Sequence, residues 1–124
     1  MQIAVQNSLD IVKITKIEST HIEVDNVKVS QPFFVGVDHA LTPWSLSHEL
    51  VDKTSIERLP LAGYELLLIG TGDRFSRIDP ESMRYLSDMV GFEVMTTVSA
   101  CRTFNIVAGE GRKVLLAAVL STGL

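Results

Sequence analysis

Few residues in this chain have the type and spacing that chemistry needs. Gly70-Thr71-Gly72 follows an apolar run, and Arg74 stands two residues further on. Backbone amides in such a loop can meet an anion, with the guanidinium as counter-charge. The loop lacks the third glycine of a dinucleotide fingerprint and the Gly-Lys-Ser/Thr ending of a phosphate-binding loop. Its plainer reading is two glycines that turn the chain. Cys101 is tied to no histidine by spacing, whereas a nucleophilic thiol needs a base in reach and a lowered pKa. It reads as a buried, inert thiol. His21, His39 and His48 show no zinc spacing. His39 and His48 share a polar stretch with Asp38, Glu49 and Asp52, where folding could assemble a metal site, although exposed loop histidines are the commoner case. Glu93, Arg102, Glu110 and Arg112 could form an acid pair or an Arg–Glu clamp. They could equally be ion pairs that hold a helix to a strand. The residues thus present no catalytic constellation, no metal set and no cofactor motif.

The elements that would position these groups follow from periodicity. Ile11–Ile17 is rich in β-branched residues, and His21–Val24 alternates polar with apolar. Asp25-Asn26 before Val27-Lys28-Val29 predicts a tight hairpin, because both residues tolerate positive φ. Pro32–Val37 reads as a further strand, and Asp38–Lys53 as a loop. Thr54–Leu59 makes about one helical turn before Pro60. Tyr64–Ile69 is nearly all apolar, as in a strand covered on both faces. Asp79-Pro80-Glu81 is a helix start with its cap, its first-turn proline and its acid. Met83, Leu86, Met89 and Val90 then fall on one stripe, with Glu81, Arg84, Ser87 and Asp88 opposite and Gly91 as the stop. Phe92–Met95 is a short strand. Thr97 is expected to cap a helix over Val98–Ala108 ended by Gly109, and Lys113–Leu120 is the last buried strand.

Strand, helix, strand, helix, strand gives an α/β unit after a β-rich start, in one compact layered domain over residues 1–124. The 64–70 and 92–96 strands should run parallel about a central mixed sheet. Pattern leaves the direction of the last strand open. In the second helix, Ala100, Cys101, Phe104, Val107 and Ala108 share an arc, while Val98 and Ile106 lie opposite, near Arg102 and Asn105. Such a helix is sandwiched between layers, the first expectation, or partly covered by a partner.

Composition supplies the boundaries. The 124 residues are 46% apolar and 21% charged, with a net charge of −4, which excludes a disordered chain. No basic balance draws nucleic acid, and Arg112 with Lys113 is too small a stripe for it. The longest apolar run, Val114–Leu120, falls far short of the roughly 20 residues a membrane-crossing helix needs. Met1–Asp10 has no basic residue and no apolar core of signal-peptide length, so no mitochondrial-type leader is read there. One cysteine forbids an internal disulfide. A cytoplasmic location fits.

The run from Glu93 to Asn105, followed by Glu110-Gly111-Arg112 and an apolar strand, is the distinctive part of the chain. Leu68-Ile-Gly-Thr-Gly72 with its Pro80-opened helix accompanies it. Together they resemble a small single-domain family of largely unassigned function. Its members include the mitochondrial NADH dehydrogenase (complex I) alpha-subcomplex assembly factor three and the adipogenesis-associated domain protein. The resemblance spans about residues 10–120. It implies a layered α/β fold with a central mixed sheet and a sandwiched second helix. It also implies that Thr97, Ala100, Arg102, Thr103, Asn105, Glu110, Gly111 and Arg112 are family-typical, with no catalytic role attached. Phe104 stands where a tyrosine is frequent, and Ile106-Val107-Ala108 is a softer match.

Two functions follow as expectations. One is a non-enzymatic interaction or assembly-factor-like domain with a protein partner, linked to respiratory or membrane-complex biogenesis. The other is a small-molecule enzyme or sensor using a crevice at the carboxyl ends of the parallel strands. That crevice would gather Gly70, Thr71, Gly72 and Thr97, with Arg74 and Arg102 reaching in. Asn105, Glu110 and Arg112 complete the candidate binding residues.

Overall fold

In the computed structural model, residues 12–18, 21–47 and 50–120 are described. The readings made of Met1–Asp10 and of His48 and Glu49 lie outside the described residues.

Three apolar runs make the centre. Strands β4 (Phe33–Gly36), β6 (Leu66–Gly70) and β8 (Val114–Ala118) lie together in a five-stranded sheet. Its order is β5-β4-β8-β6-β7, with β5 spanning His39–Pro43 and β7 spanning Gly91–Met95. β8 runs parallel to β6 and antiparallel to β4, and β6 runs parallel to β7. The sheet is therefore mixed, and β8 is the strand where its direction changes. Alternate side chains point to opposite faces of a strand. Phe33, Val35, Leu68, Val114, Leu116 and Ala118 enter one apolar cluster, while Phe34, Leu67, Ile69, Leu115, Ala117 and Val119 enter the other. Burial on both faces explains why these strands read as continuous apolar runs rather than alternating ones.

Each face has its own cover. On one lies helix α3 (Thr97–Gly109), flanked by the small antiparallel sheet β1 (Ile14–Ile17), β2 (Ile22–Val24) and β3 (Val27–Val29). On the other lie Trp44, helix α1 (Lys53–Glu57) and helix α2 (Pro80–Ser87). The expected turn between β2 and β3 is present, with Asp25 at φ 49° and Asn26 at φ 70°. Both residues lie in the left-handed region, as a two-residue hairpin of matching twist requires. The Asp52 carboxylate accepts from the Ser55 amide at 2.9 Å while the Ser55 hydroxyl accepts from the Asp52 amide at 3.0 Å, so α1 opens on a reciprocal cap. Asp79 caps α2 as expected, accepting from the Ser82 amide at 3.1 Å and its hydroxyl at 2.6 Å.

Four expectations are corrected. First, the Asp38–Lys53 stretch is not all loop. His39–Pro43 pairs with β4 as an edge strand, and its short, partly exposed sequence carries no regular apolar alternation. Second, α2 stops at Ser87, and Gly91 opens β7 instead of ending the helix. Of its expected stripe, Leu86 is buried, whereas Met83 is 45% and Met89 53% exposed. Third, Thr96, not Thr97, caps α3, its hydroxyl facing the Ser99 amide at 3.4 Å. At the other end Gly109 is helical and Gly111 takes φ +84°. The Gly111 amide donates to the Ala108 carbonyl at 3.0 Å and that of Arg112 to the Val107 carbonyl at 3.3 Å, the paired bonds of a left-handed helix stop. Fourth, α3 is not sandwiched all round. The small sheet meets its flank, and Ile106 remains 63% exposed on the outer side.

Cys101 lies on the inner arc of α3, fully buried, and desolvation pushes its thiol up to about 12. In the native state it should label with a thiol reagent only as fast as the protein opens, so that labelling tracks denaturant-induced unfolding. Rapid labelling without loss of secondary structure would overturn the assignment.

Candidate functional site

The carboxyl ends of β6 and β7 meet the amino end of α3. The loop after β6 leads to α2 on one face, and the turn after β7 leads to α3 on the other. A crevice between such diverging connections is where open α/β sheets take ligands. Here the chain's own groups occupy it. The Thr97 amide donates to the Gly72 carbonyl at 3.0 Å, and the Gly72 amide donates to the Thr97 hydroxyl at 2.9 Å. That hydroxyl donates in turn to the Val119 carbonyl at 2.6 Å, and the Val119 amide to the Gly70 carbonyl at 2.9 Å. Thr97 thus ties three chain segments together from a buried position.

Each glycine of the loop has a separate reason. A Cβ at Gly70 would stand 2.7 Å from the Thr97 Cα, closer than any real contact, so only glycine lets α3 approach β6. Gly72 takes φ +105°, where L side chains are strained. The Thr71 hydroxyl donates to the Arg74 carbonyl at 2.7 Å and accepts from the Ser76 amide at 3.1 Å, closing the loop on itself. The Arg74 and Arg102 side chains are exposed and have no ion-pair partner among the described residues.

The remaining candidates do not join them. Asn105 faces the small sheet, where its carbonyl oxygen accepts from the Ile14 amide at 2.8 Å and its amide donates to the Ile14 carbonyl at 2.9 Å. One side chain thereby replaces a neighbouring strand for Ile14 and docks β1 on α3. Glu110 and Arg112 follow the end of α3, and Arg112 pairs with Glu65 at 3.1 Å. Glu65 also accepts from the Lys113 amide at 3.2 Å and precedes β6, so this pair lies at the opposite end of the sheet from Gly70. The Lys113 amide, and after it Arg112, holds the Glu65 carboxyl below its ordinary value.

Sequence reasoning missed a second cluster at that end. Asp38 accepts from the Tyr64 hydroxyl at 2.6 Å and pairs with Lys113, whose ammonium also stands 5.8 Å from the centre of the Tyr64 ring. A Cβ on Gly36 would collide with the phenol end of Tyr64, so only glycine lets that side chain reach across the strand end. Lys113 and Tyr64 hold Asp38 below the ordinary 3.8, while desolvation and Asp38 raise the tyrosine. A phenol raised in this way stays protonated and donates to Asp38, and the trio forms a clasp between the ends of β4, β6 and β8. No spacing in the sequence links positions 38, 64 and 113. Of the other groups in that polar stretch of sequence, the His39 ring lies 5.5 Å from that of Phe34, and Asp52 caps α1.

A family profile described as "Protein of unknown function (DUF498/DUF598)" matches residues 14–119. The chain belongs to this family. It is 29% identical over 119 residues to the NADH dehydrogenase [ubiquinone] 1 alpha subcomplex assembly factor 3 of Xenopus tropicalis. That match covers 93% of this chain and 64% of the relative's length, so the chain spans somewhat under two thirds of it. The crystal structure of a Bordetella parapertussis protein superposes with a TM-score of 0.83 at 32% identity, covering 90% of this chain and 97% of that one. The solution structure of an Mth938-like domain from Bordetella pertussis does so with 0.73 at 27%, covering 89% and 86%. The positions that the resemblance marks as family-typical are in part positions of the scaffold. Thr97, Asn105, Gly111 and Arg112 hold α3 to what surrounds it, and Ala100 is buried beneath it.

Two outcomes follow. Thr97→Val keeps the shape but strands the buried Val119 carbonyl and Gly72 amide, and should cost about 1–3 kcal/mol in denaturant unfolding. Thr97→Ser, which keeps the hydroxyl, should cost less. The Asp38 carboxyl, followed by NMR, should titrate below 3.8 and move up towards it in Lys113→Met. Because the folded value is the depressed one, this contribution to stability is complete above the unfolded value and is lost as pH falls through the folded one.

Proposed function

We propose that the chain is a non-enzymatic interaction domain of the assembly-factor type, acting in the biogenesis of a respiratory or other membrane-associated complex. The observation that carries this reading is the outer ridge of α3. Arg102, without an ion-pair partner among the described residues, stands there beside Ile106, 63% exposed, and half-buried Val98. This helix belongs to the distinctive motif, yet nothing within the described chain covers its outer side. An exposed branched aliphatic beside an arginine suits a protein contact, where such residues supply buried area and directed hydrogen bonds. The name of the Xenopus tropicalis relative supports the same class of role. The hydrogen bonds that fill the crevice by Gly72 favour it over a ligand pocket there.

Among the described residues no helix is long and apolar enough to cross a membrane. The test is affinity capture with the tagged chain from its own cells, followed by identification of the retained proteins. Subunits or assembly proteins of one membrane complex should be enriched, and Arg102→Ala or Ile106→Asp should reduce them at least about fivefold with circular dichroism unchanged. Absence of such subunits, together with a melting shift of several degrees for one metabolite, would overturn the reading in favour of a ligand-binding protein.

A further inference from the structure

Strand β7 closes the five-stranded sheet, and no strand pairs with its outer side among the described residues. The Thr71 amide donates to the Met95 carbonyl at 2.9 Å, so Met95 turns its backbone groups towards β6. Alternation along the strand then turns the amides and carbonyls of Phe92 and Val94 outwards. Directly beside this open edge is a groove of about 670 Å³ on the α2 face. Phe75, Ile78, Pro80, Met83 and Val94 line it, with Arg77 among them. Phe75 is 57% exposed, and with Met83 it forms an apolar patch next to unused backbone donors and acceptors.

Three arginines surround the groove. Arg77 lines it, Arg74 precedes Phe75, and Arg84 follows Met83 on the Pro80 side of α2. None of the three has an ion-pair partner among the described residues. Their acidic neighbours are mostly engaged. Asp79, which also lines the groove, caps α2 through Ser82, and Glu81 pairs with Lys53 at 3.6 Å. Asp73 and Asp79 are both exposed, so two acids of that loop stand against the three arginines. Glu93 pairs in register with Leu68, a residue of the α3-side cluster, and so points to the opposite face of the sheet.

We propose that this edge binds an extended, acidic segment of a partner protein, which adds a strand to β7. The proposal rests on the interaction reading above and names a surface separate from the outer ridge of α3. Backbone bonds to Phe92 and Val94 give the added strand its register. Every second side chain falls on the α2 face, where apolar groups meet Phe75 and Met83 and carboxylates meet Arg77 and its neighbours. Side chains on the other face pass Glu93, which rejects acids there. The strand that fits therefore carries its carboxylates on one face only. A second copy of this chain is a poor occupant. A two-fold contact lays the same patch on both partners, so arginine would meet arginine. In the antiparallel register that pairs Phe92 with Val94, Glu93 would stand directly opposite Glu93.

The test uses a capped synthetic peptide whose odd positions alternate valine or phenylalanine with glutamate and whose even positions are threonine. A twin carries lysine for glutamate. Titrated into the full ¹⁵N-labelled chain, the acidic peptide should shift the Phe92 and Val94 amides and slow their exchange with solvent. The lysine peptide should bind at least about tenfold more weakly. Arg77→Glu, a change at an exposed position, should invert that preference, and Phe75→Ser should weaken both. No binding of the acidic peptide, equal affinity for the two peptides, shifts confined to other elements, or protection of β7 by self-association that persists in Arg77→Glu would each overturn the proposal. Capture of complex subunits that is unchanged in Arg77→Glu would overturn this surface while leaving the interaction reading intact. Absence of such subunits with the unaltered chain would remove that reading instead.

Discussion

Strands β6 and β8 lie side by side, and every residue of β8 from Val114 to Ala118 is shut away from water. A sheet buried on both faces must be covered twice, and the cover must come close. Helix α3 comes close at Gly70, where a methyl group would already strike Thr97. That contact governs much of the carboxyl end of the sheet. It selects glycine on the strand, places Thr97 where its hydroxyl reaches Val119, and brings the Gly72 loop within reach of the helix amides. Tight packing and a filled crevice are one arrangement seen from two sides.

The same helix is secured by different means along its length. At its start threonine bonds tie it to two loops. Midway, Asn105 offers the backbone of Ile14 a donor and an acceptor, so a side chain completes the edge of the small sheet. At its end Gly111 turns the chain and Arg112 meets Glu65. These bonds use polar groups at the boundary of the apolar core, where an unpaired donor or acceptor would be costly. Accordingly, no buried side-chain nitrogen or oxygen among the described residues lacks a partner. What remains unsatisfied lies on the periphery: the outer ridge of α3, the open side of β7, and arginines without carboxylates.

This division bears on a domain whose distinctive motif carries no catalytic pattern. Thr97, Asn105, Gly111 and Arg112 are accounted for by architecture. Arg102 is not, since it touches no acid among the described residues and supports no neighbouring element. A surface arginine with no structural task beside exposed apolar groups is the kind of group that a partner's chemistry would explain.

Local chemistry was enough for some features. Asp25-Asn26 had to make a left-handed two-residue turn, Asp79-Pro80 had to open a helix, and unbroken apolar runs had to lie in a sheet covered on both faces. In each, the preference sits within a few neighbouring residues. Other features depended on residues far apart. Strand β5 exists because β4 offers a ladder, not because its own pattern demands one. Gly91 and Gly109 are both plausible helix stops by type, yet the left-handed position fell to Gly111, where the Arg112 amide could also reach back. Thr96 and Thr97 are adjacent and chemically identical, and only the approach of β6 and the Val119 carbonyl assigned one to the cap and the other to the core. The sequence determined most of the segments that form strands and helices, β5 apart, because hydrophobic periodicity and capping act locally. The tertiary structure decided the direction of β8, the closure of the Gly72 crevice and the separation of Arg112 from Thr97, because each depends on long-range packing.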